Sequence, residues 1–191
     1  MKIRAERLIE AFDKAGLNKL LYDMQLATSA SSDLSQIITP LQSQLTQMME
    51  AAIQQFNGED DSYVGEAKGT AITVYDLLEF CTKKMTGFAN GIHMAIEGNK
   101  QQALENIAVL QGIKQEALRI LMNCGIGYIE PEVGGAFNEQ FHEAIAGIPG
   151  DYDPNKHKVV VSSVMTLGYK HGKHILQSPQ VVVCATPATE P

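Results

Sequence analysis

The chain has 191 residues, of which 15 are basic and 22 acidic, for a formal charge of -7; that balance argues against nucleic-acid binding, which needs a basic face to displace counterions from phosphates. Hydrophobic residues make up 45% and charged residues 19%, too apolar a mixture for wholesale disorder, and a chain this long buries enough surface to hold a core without metal or disulfide. No stretch approaches the about 20 apolar residues of a membrane span, and Met1 to Glu10 lacks the apolar run of a signal peptide, so the expectation is a cytoplasmic protein with neither membrane nor nucleic acid as partner.

Between residues 2 and 24, Ala5, Leu8, Ile9, Phe12, Leu20, Leu21 and Met24 recur at three-and-four spacing. This is one buried helix face, with Gly16 as a weak interior point. The run from Thr28 to Ser32, TSASS, breaks the pattern. Apolar residues resume at Leu34, Ile38, Leu41, Leu45, Met48 and Ala52 in the alternation of a bundle seam. Pro40 interrupts it, which predicts a kink or a fresh start with Thr39 as N-cap. Asn57 to Gly69 reads as a glycine- and acid-rich loop.

The next helix repeats heptad spacing through Val74, Leu78, Cys81, Met85, Phe88, Ile92 and Ala95. Gly98-Asn99 makes a turn, and Leu104, Ile107, Leu110, Ile113, Ala117, Ile120 and Cys124 return along a second helix that Gly125 caps. Beyond Gly125 the apolar runs shorten to strand length. Lys158 to Met165 and Gln180 to Ala185 have the β-branched richness of strands, Gly168 to Lys173 reads as a hairpin turn, and Thr186 to Pro191 as a disordered tail.

The predicted fold class is α+β: helices and a loop over 1-70, a helix pair over 71-124, a small all-β domain over 125-185 and a tail over 186-191. A helix pair cannot bury its own apolar stripe, and the β-domain is too small to cover it. Two copies are therefore expected to combine as a homodimer with a dimeric four-helix bundle, placing Val74, Leu78, Cys81, Met85, Phe88 and Ile92 at the interface.

Nothing in the pattern supports catalysis. Cys81, Cys124 and Cys184 are odd in number, far apart and set in apolar runs, as small buried hydrophobes of a reducing compartment are. His171 and His174 are close enough to consider as a metal pair, but residues three apart on a strand or hairpin are expected to face opposite sides, and no nearby Cys or carboxylate completes a shell. Asp151, Asp153 and Asn155 imitate a calcium loop, which wants Gly and Glu where Lys156 and Ser162 stand. Gly125-Ile126-Gly127 follows a helix and lacks the third glycine of a dinucleotide fingerprint. The expectation is a protein that is not an enzyme and holds no metal or cofactor.

The carboxyl-terminal segments GIGYI from Gly125, FNEQFHEA from Phe137, VVVSSVMTLGY from Val159, KHGK from Lys170, HILQSP from His174 and VVV from Val181 are more specific. In order and spacing they resemble the GrpE family, the nucleotide exchange factors of DnaK-type chaperones, over about residues 72 to 184. The resemblance implies a symmetric dimer of paired helices with one small β-domain per chain. One β-domain would wedge against the nucleotide-binding domain of the chaperone and release ADP, a task in protein folding and stress response. It implies contacts with that partner at Phe137, Glu139, Met165, His174 and Val183. His174 and Gln177 stand where the family carries arginines, and Asn138-Glu139 where it carries Asp-Pro. His142 and Tyr169 read as buried polar groups bonded inside the β-domain. Two other readings are an adaptor on the same fold and an acidic dimeric chaperone for secreted proteins.

Overall fold

The computed structural model describes residues 3-57, 65-101, 103-147 and 157-187. They form two compact units, Met1-Ile126 and Gly127-Pro191. The α+β class is as expected: helices first, then a small all-β unit.

The helical unit comprises α1 (Ile3-Ala15), α2 (Leu17-Ala30), α3 (Ser32-Asn57), α4 (Glu66-Phe80), a π-turn (Cys81-Met85), α5 (Thr86-Gly98) and α6 (Leu104-Asn123). Gly16 separates α1 from α2 at φ 99°, a left-handed conformation that only glycine adopts without strain. Its amide still donates to Phe12 and Asp13 at 3.2 and 3.0 Å, so the rod bends without losing its apolar face. The sharper break falls at Ser31, in extended backbone.

Pro40 neither stops nor restarts α3, which runs through it. Both Pro40 and Gln36, whose carbonyl loses a donor to the proline ring, are exposed, so water can take the missing bond's place. The buried positions of α3 are Leu34, Ile38, Leu45, Met49 and Phe56. These follow an eleven-residue repeat, close to the natural period of a straight helix, and leave Met48 and Ala52 half-buried. The loop expected from Asn57 to Gly69 is shorter than that, because α4 already begins at Glu66; positions 58 to 64 lie outside the described residues.

The π-turn accounts for a second departure. From its first residue onward Cys81, Met85, Phe88 and Ile92 are buried as the heptad predicts, whereas ahead of it Thr73, Asp76 and Phe80 are buried, and Val74 is 62% exposed. A π-turn inserts one residue, which rotates the face by about 100°. The apolar stripe therefore changes phase by one position, and Val74 and Leu78 turn away from the core.

α1 packs on α3 and α4, α3 and α6 on α5, and α2 on α3 and α6. The chain thus assembles four helical rods by itself: α1-α2, α3, α4-α5 and α6. The part of the stripe from Cys81 to Ile92, which was expected to need a second copy, is buried within the chain itself, against α3 and α6. Phe12 meets Phe80 with ring centroids 4.7 Å apart. Arg4 donates to Asp76 through Nε at 2.8 Å and Nη2 at 2.6 Å, and its guanidinium lies 3.7 Å above the Phe56 ring, tying α1, α3 and α4 together. Lys114 and His93, both buried, meet across α5 and α6 at 3.2 Å.

The β unit holds β1 (Ile126-Ile129), β2 (Glu143-Ala146), β3 (His157-Thr166), β4 (Gly168-His171), β5 (His174-Gln177) and β6 (Gln180-Pro187). They form two three-stranded sheets, in the orders β1-β4-β5 and β2-β6-β3. β6 runs antiparallel to β3 and parallel to β2. It takes in Thr186 and Pro187, which the sequence reading assigned to the tail; 188 to 191 lie outside the described residues, as do Asp151, Asp153 and Asn155 of the calcium-loop imitation. Val161, Val164, Leu167, Tyr169, Val181 and Val183 form the core. Val161 and Val164 both face inward despite their odd spacing, because the β3-β6 register shifts between Val161 and Ser163, as a β-bulge does.

Candidate partner-binding surface

The five residues that the resemblance assigns to partner contact sit in quite different surroundings. Met165, near the end of β3, is 37% exposed, while Val183 in the central strand β6 is 1% exposed and opposes Val161 in register. Simple strand alternation did not decide between core and surface for this pair. The bulges in β3 do, turning Met165 outward. Val183 is core and is withdrawn from any contact surface.

Phe137 is half-buried. Its amide donates to the Val159 carbonyl at 3.1 Å, and its ring lies 5.9 Å from that of His142. The adjoining turn is built by Asn138, whose side-chain oxygen accepts the Gln140 amide at 2.9 Å and whose carbonyl accepts from His142 at 2.8 Å. This Asx turn leaves Glu139 exposed. The Asn138 amide in turn donates to His142 Nδ1 at 3.3 Å. Burial pushes the His142 imidazole below its usual range, so the neutral ring that accepts this bond is favoured.

Tyr169 is fully buried, and burial, with Glu130 adding to it, holds its phenol well above the ordinary range. Of the two groups read as buried, His142 is half-buried and bonded to the Asn138 turn, whereas Tyr169 is in the core. Gly168 before it permits a close approach, since a methyl group there would lie 2.4 Å from Pro179 Cδ and 2.7 Å from its nitrogen. The Gly-Tyr pair marks where β4 passes against the chain entering β6.

His174 opens β5 and is exposed. It stands directly opposite His171 in the β4-β5 register, so the two histidines share a face, contrary to the sequence argument. That argument held residues three apart to face opposite sides on a strand and a hairpin alike, whereas the two-residue turn of this hairpin makes them direct cross-strand partners. Among the described residues no third His, Cys, Asp or Glu joins them to hold a metal ion.

Sequence reasoning missed that this small unit also exposes the large apolar side chains Val133, Phe141, Ile145, Ile175 and Leu176. The only signal was the apolar content of the short strands. In the helical unit, Cys81, Met85, Phe88 and Ile92 of the expected dimer interface are covered by the chain's own helices. Leu78 is half-buried, and Val74, with its neighbour Tyr75, remains open.

Among the described residues no helix is long and apolar enough to cross a membrane. No curated protein matches the chain. The family model described as GrpE matches residues 30-185, which spans α3 to β6 and leaves α1 and all but the last residue of α2 outside. With helices leading into a two-sheet β unit in the order the motifs require, and more than half of its length matched, the chain belongs to the GrpE family.

Proposed function

We propose that this chain binds the nucleotide-binding domain of a DnaK-type chaperone through its β unit and opens the nucleotide cleft to release ADP. The family is one of exchange cofactors and not of catalysts. The observation that carries the proposal is the exposure of Met165, Glu139 and His174 on a β unit rich in exposed apolar side chains. Phe137 contributes from its half-buried position by shaping the Asn138 turn. The physical requirement is differential affinity, because a partner opens a cleft only to the extent that it binds the open form better than the closed one. A thousandfold faster release corresponds to roughly 4 kcal/mol of lowered barrier.

In this reading the protein works in the cytoplasm, without a cofactor. It pairs with a second copy through positions left open on α4, Val74 and Tyr75 foremost. The test is release of a fluorescent ADP from a purified DnaK-type chaperone. Acceleration by the intact chain is expected, and Met165→Ala with His174→Ala should weaken chaperone binding by roughly tenfold, the loss of about 1.4 kcal/mol of contact. An unchanged release rate with several such chaperones overturns the proposal. An adaptor role on the same fold is favoured by one observation, the replacement of forked guanidinium groups by His174 and Gln177. Capture of a defined non-chaperone partner without any effect on ADP release would establish it.

A further inference from the structure

Cys81 and Cys124 stand 43 positions apart, yet the Cys81 thiol donates to Cys124 Sγ at 3.2 Å. Cys81 opens the π-turn and is fully buried, whereas Cys124 follows the last residue of α6 and is half-buried. Their sulfurs are about 1.1 Å beyond bonding distance, within reach of small χ1 rotations. We propose that Cys81 and Cys124 form a redox-modification site at which hydrogen peroxide generates an intramolecular disulfide. This does not depend on the exchange activity.

The two thiols are unequal. The bond from Cys81 holds the Cys124 thiol below its ordinary range against the opposing effect of burial. The same bond, with burial, pushes the Cys81 thiol up. The negative end of the α6 dipole works against a thiolate at Cys124 and limits the lowering. Cys124, the more accessible of the two sulfurs and the one that accepts the bond, is therefore the attacking group of the first step, and Cys81 is the resolving partner.

In that step the Cys124 thiolate attacks one peroxide oxygen; an S-O bond forms, the O-O bond breaks and hydroxide leaves, taking up a proton to become water. The Cys81 sulfur then attacks Cys124 Sγ. An S-S bond forms, the S-O bond breaks, and the departing oxygen leaves as a second water with the Cys81 proton. Two thiols lose two electrons in total, and the peroxide is reduced to two waters. The product ties the carboxyl end of α6 to the junction of α4 and α5. Cys184, in β6, is half-buried and takes no part.

The test treats the reduced full-length chain with hydrogen peroxide, alkylates the remaining thiols and reads non-reduced peptides by mass spectrometry. The expected result is a Cys81-Cys124 peptide pair lacking two hydrogens within single chains, with Cys184 alkylated. The unfolding midpoint of the helical signal should rise by roughly 5-10 °C and fall back on reduction. Cys124→Ser should leave Cys81 as a thiol and abolish the rise. Cys81→Ser should drive Cys124 on to sulfinic acid for want of a resolving thiol. Wild-type Cys124 reaching sulfinic acid while Cys81 stays a thiol overturns the proposal, as does no reaction at Cys124 or cross-linking only through Cys184. The wild-type peptides alone decide, so a serine variant that fails to fold does not shield the idea.

Discussion

Removing either half of the Arg4-Asp76 pair should destabilise the helical unit, and by unequal amounts. The Asp76 side chain is 2% exposed and that of Arg4 24%, so Arg4→Met strands a carboxylate that water hardly reaches. Breaking a buried pair in that way costs about 3-5 kcal/mol. Asp76→Asn leaves a neutral amide that still accepts one guanidinium bond, while Arg4 keeps its face on Phe56 and part of its hydration; the loss of one charge-assisted bond sets the cost nearer 1.5-3 kcal/mol. The double change Arg4→Met with Asp76→Leu removes both charges, and its cost should fall well below the sum of the single changes. Urea unfolding followed by helical circular dichroism measures all three. With slopes of about 1-3 kcal/mol/M, the Arg4→Met midpoint should drop by roughly 1-2 M or more. Equal costs for the two single changes, or strict additivity in the double, would refute the claim that burial asymmetry governs this pair.

Three further outcomes follow from the same geometry. Phe88→Ala should cost about 3-5 kcal/mol as a core truncation, whereas Val74→Asp should change stability by less than about 0.5 kcal/mol while shifting any paired species toward single chains in sedimentation; a large stability loss at Val74 would contradict the phase change at the π-turn. Because burial lowers the His142 pKa, its folded value lies below the unfolded value of about 6.5. Its stabilising contribution is thus present above that pH and is lost as pH falls through the folded value; an NMR titration of the ring with its midpoint at or above 6.5 would show the sign to be wrong, and the protection of the Asn138 amide relative to its intrinsic exchange rate should fall with acid. Gly168→Ala should unfold the β unit selectively, since the added methyl meets the Pro179 backbone and ring at 2.4-2.7 Å, and unchanged urea unfolding of the β signal would show that the strand shifts at no cost.

Much of this architecture was legible in the residues. Three-and-four spacing marked the helices, β-branched runs marked β3 and β6, and Gly125 marked the end of α6, because each is a local preference that the backbone expresses wherever the segment lies. The family pattern was legible for a related reason: Gly168 must be glycine beside Pro179, and Tyr169 must be apolar enough for the core, so the motif records close packing.

What the residues did not carry was phase and partnership. One extra residue in the π-turn moves Val74 to the surface and Asp76 into contact with Arg4, 72 positions away. Bulges in β3 send Met165 outward and leave Val183 inside, a hairpin sets His171 against His174, and chain return brings Cys81 to Cys124. The π-turn and the bulges act through a rotation of about 100° in a helix or 180° in a strand for a single-residue slip, and the two pairings through how the chain folds back. Periodicity read along a chain has no means of detecting such a slip, and only the packed neighbours on the far side of the fold select it.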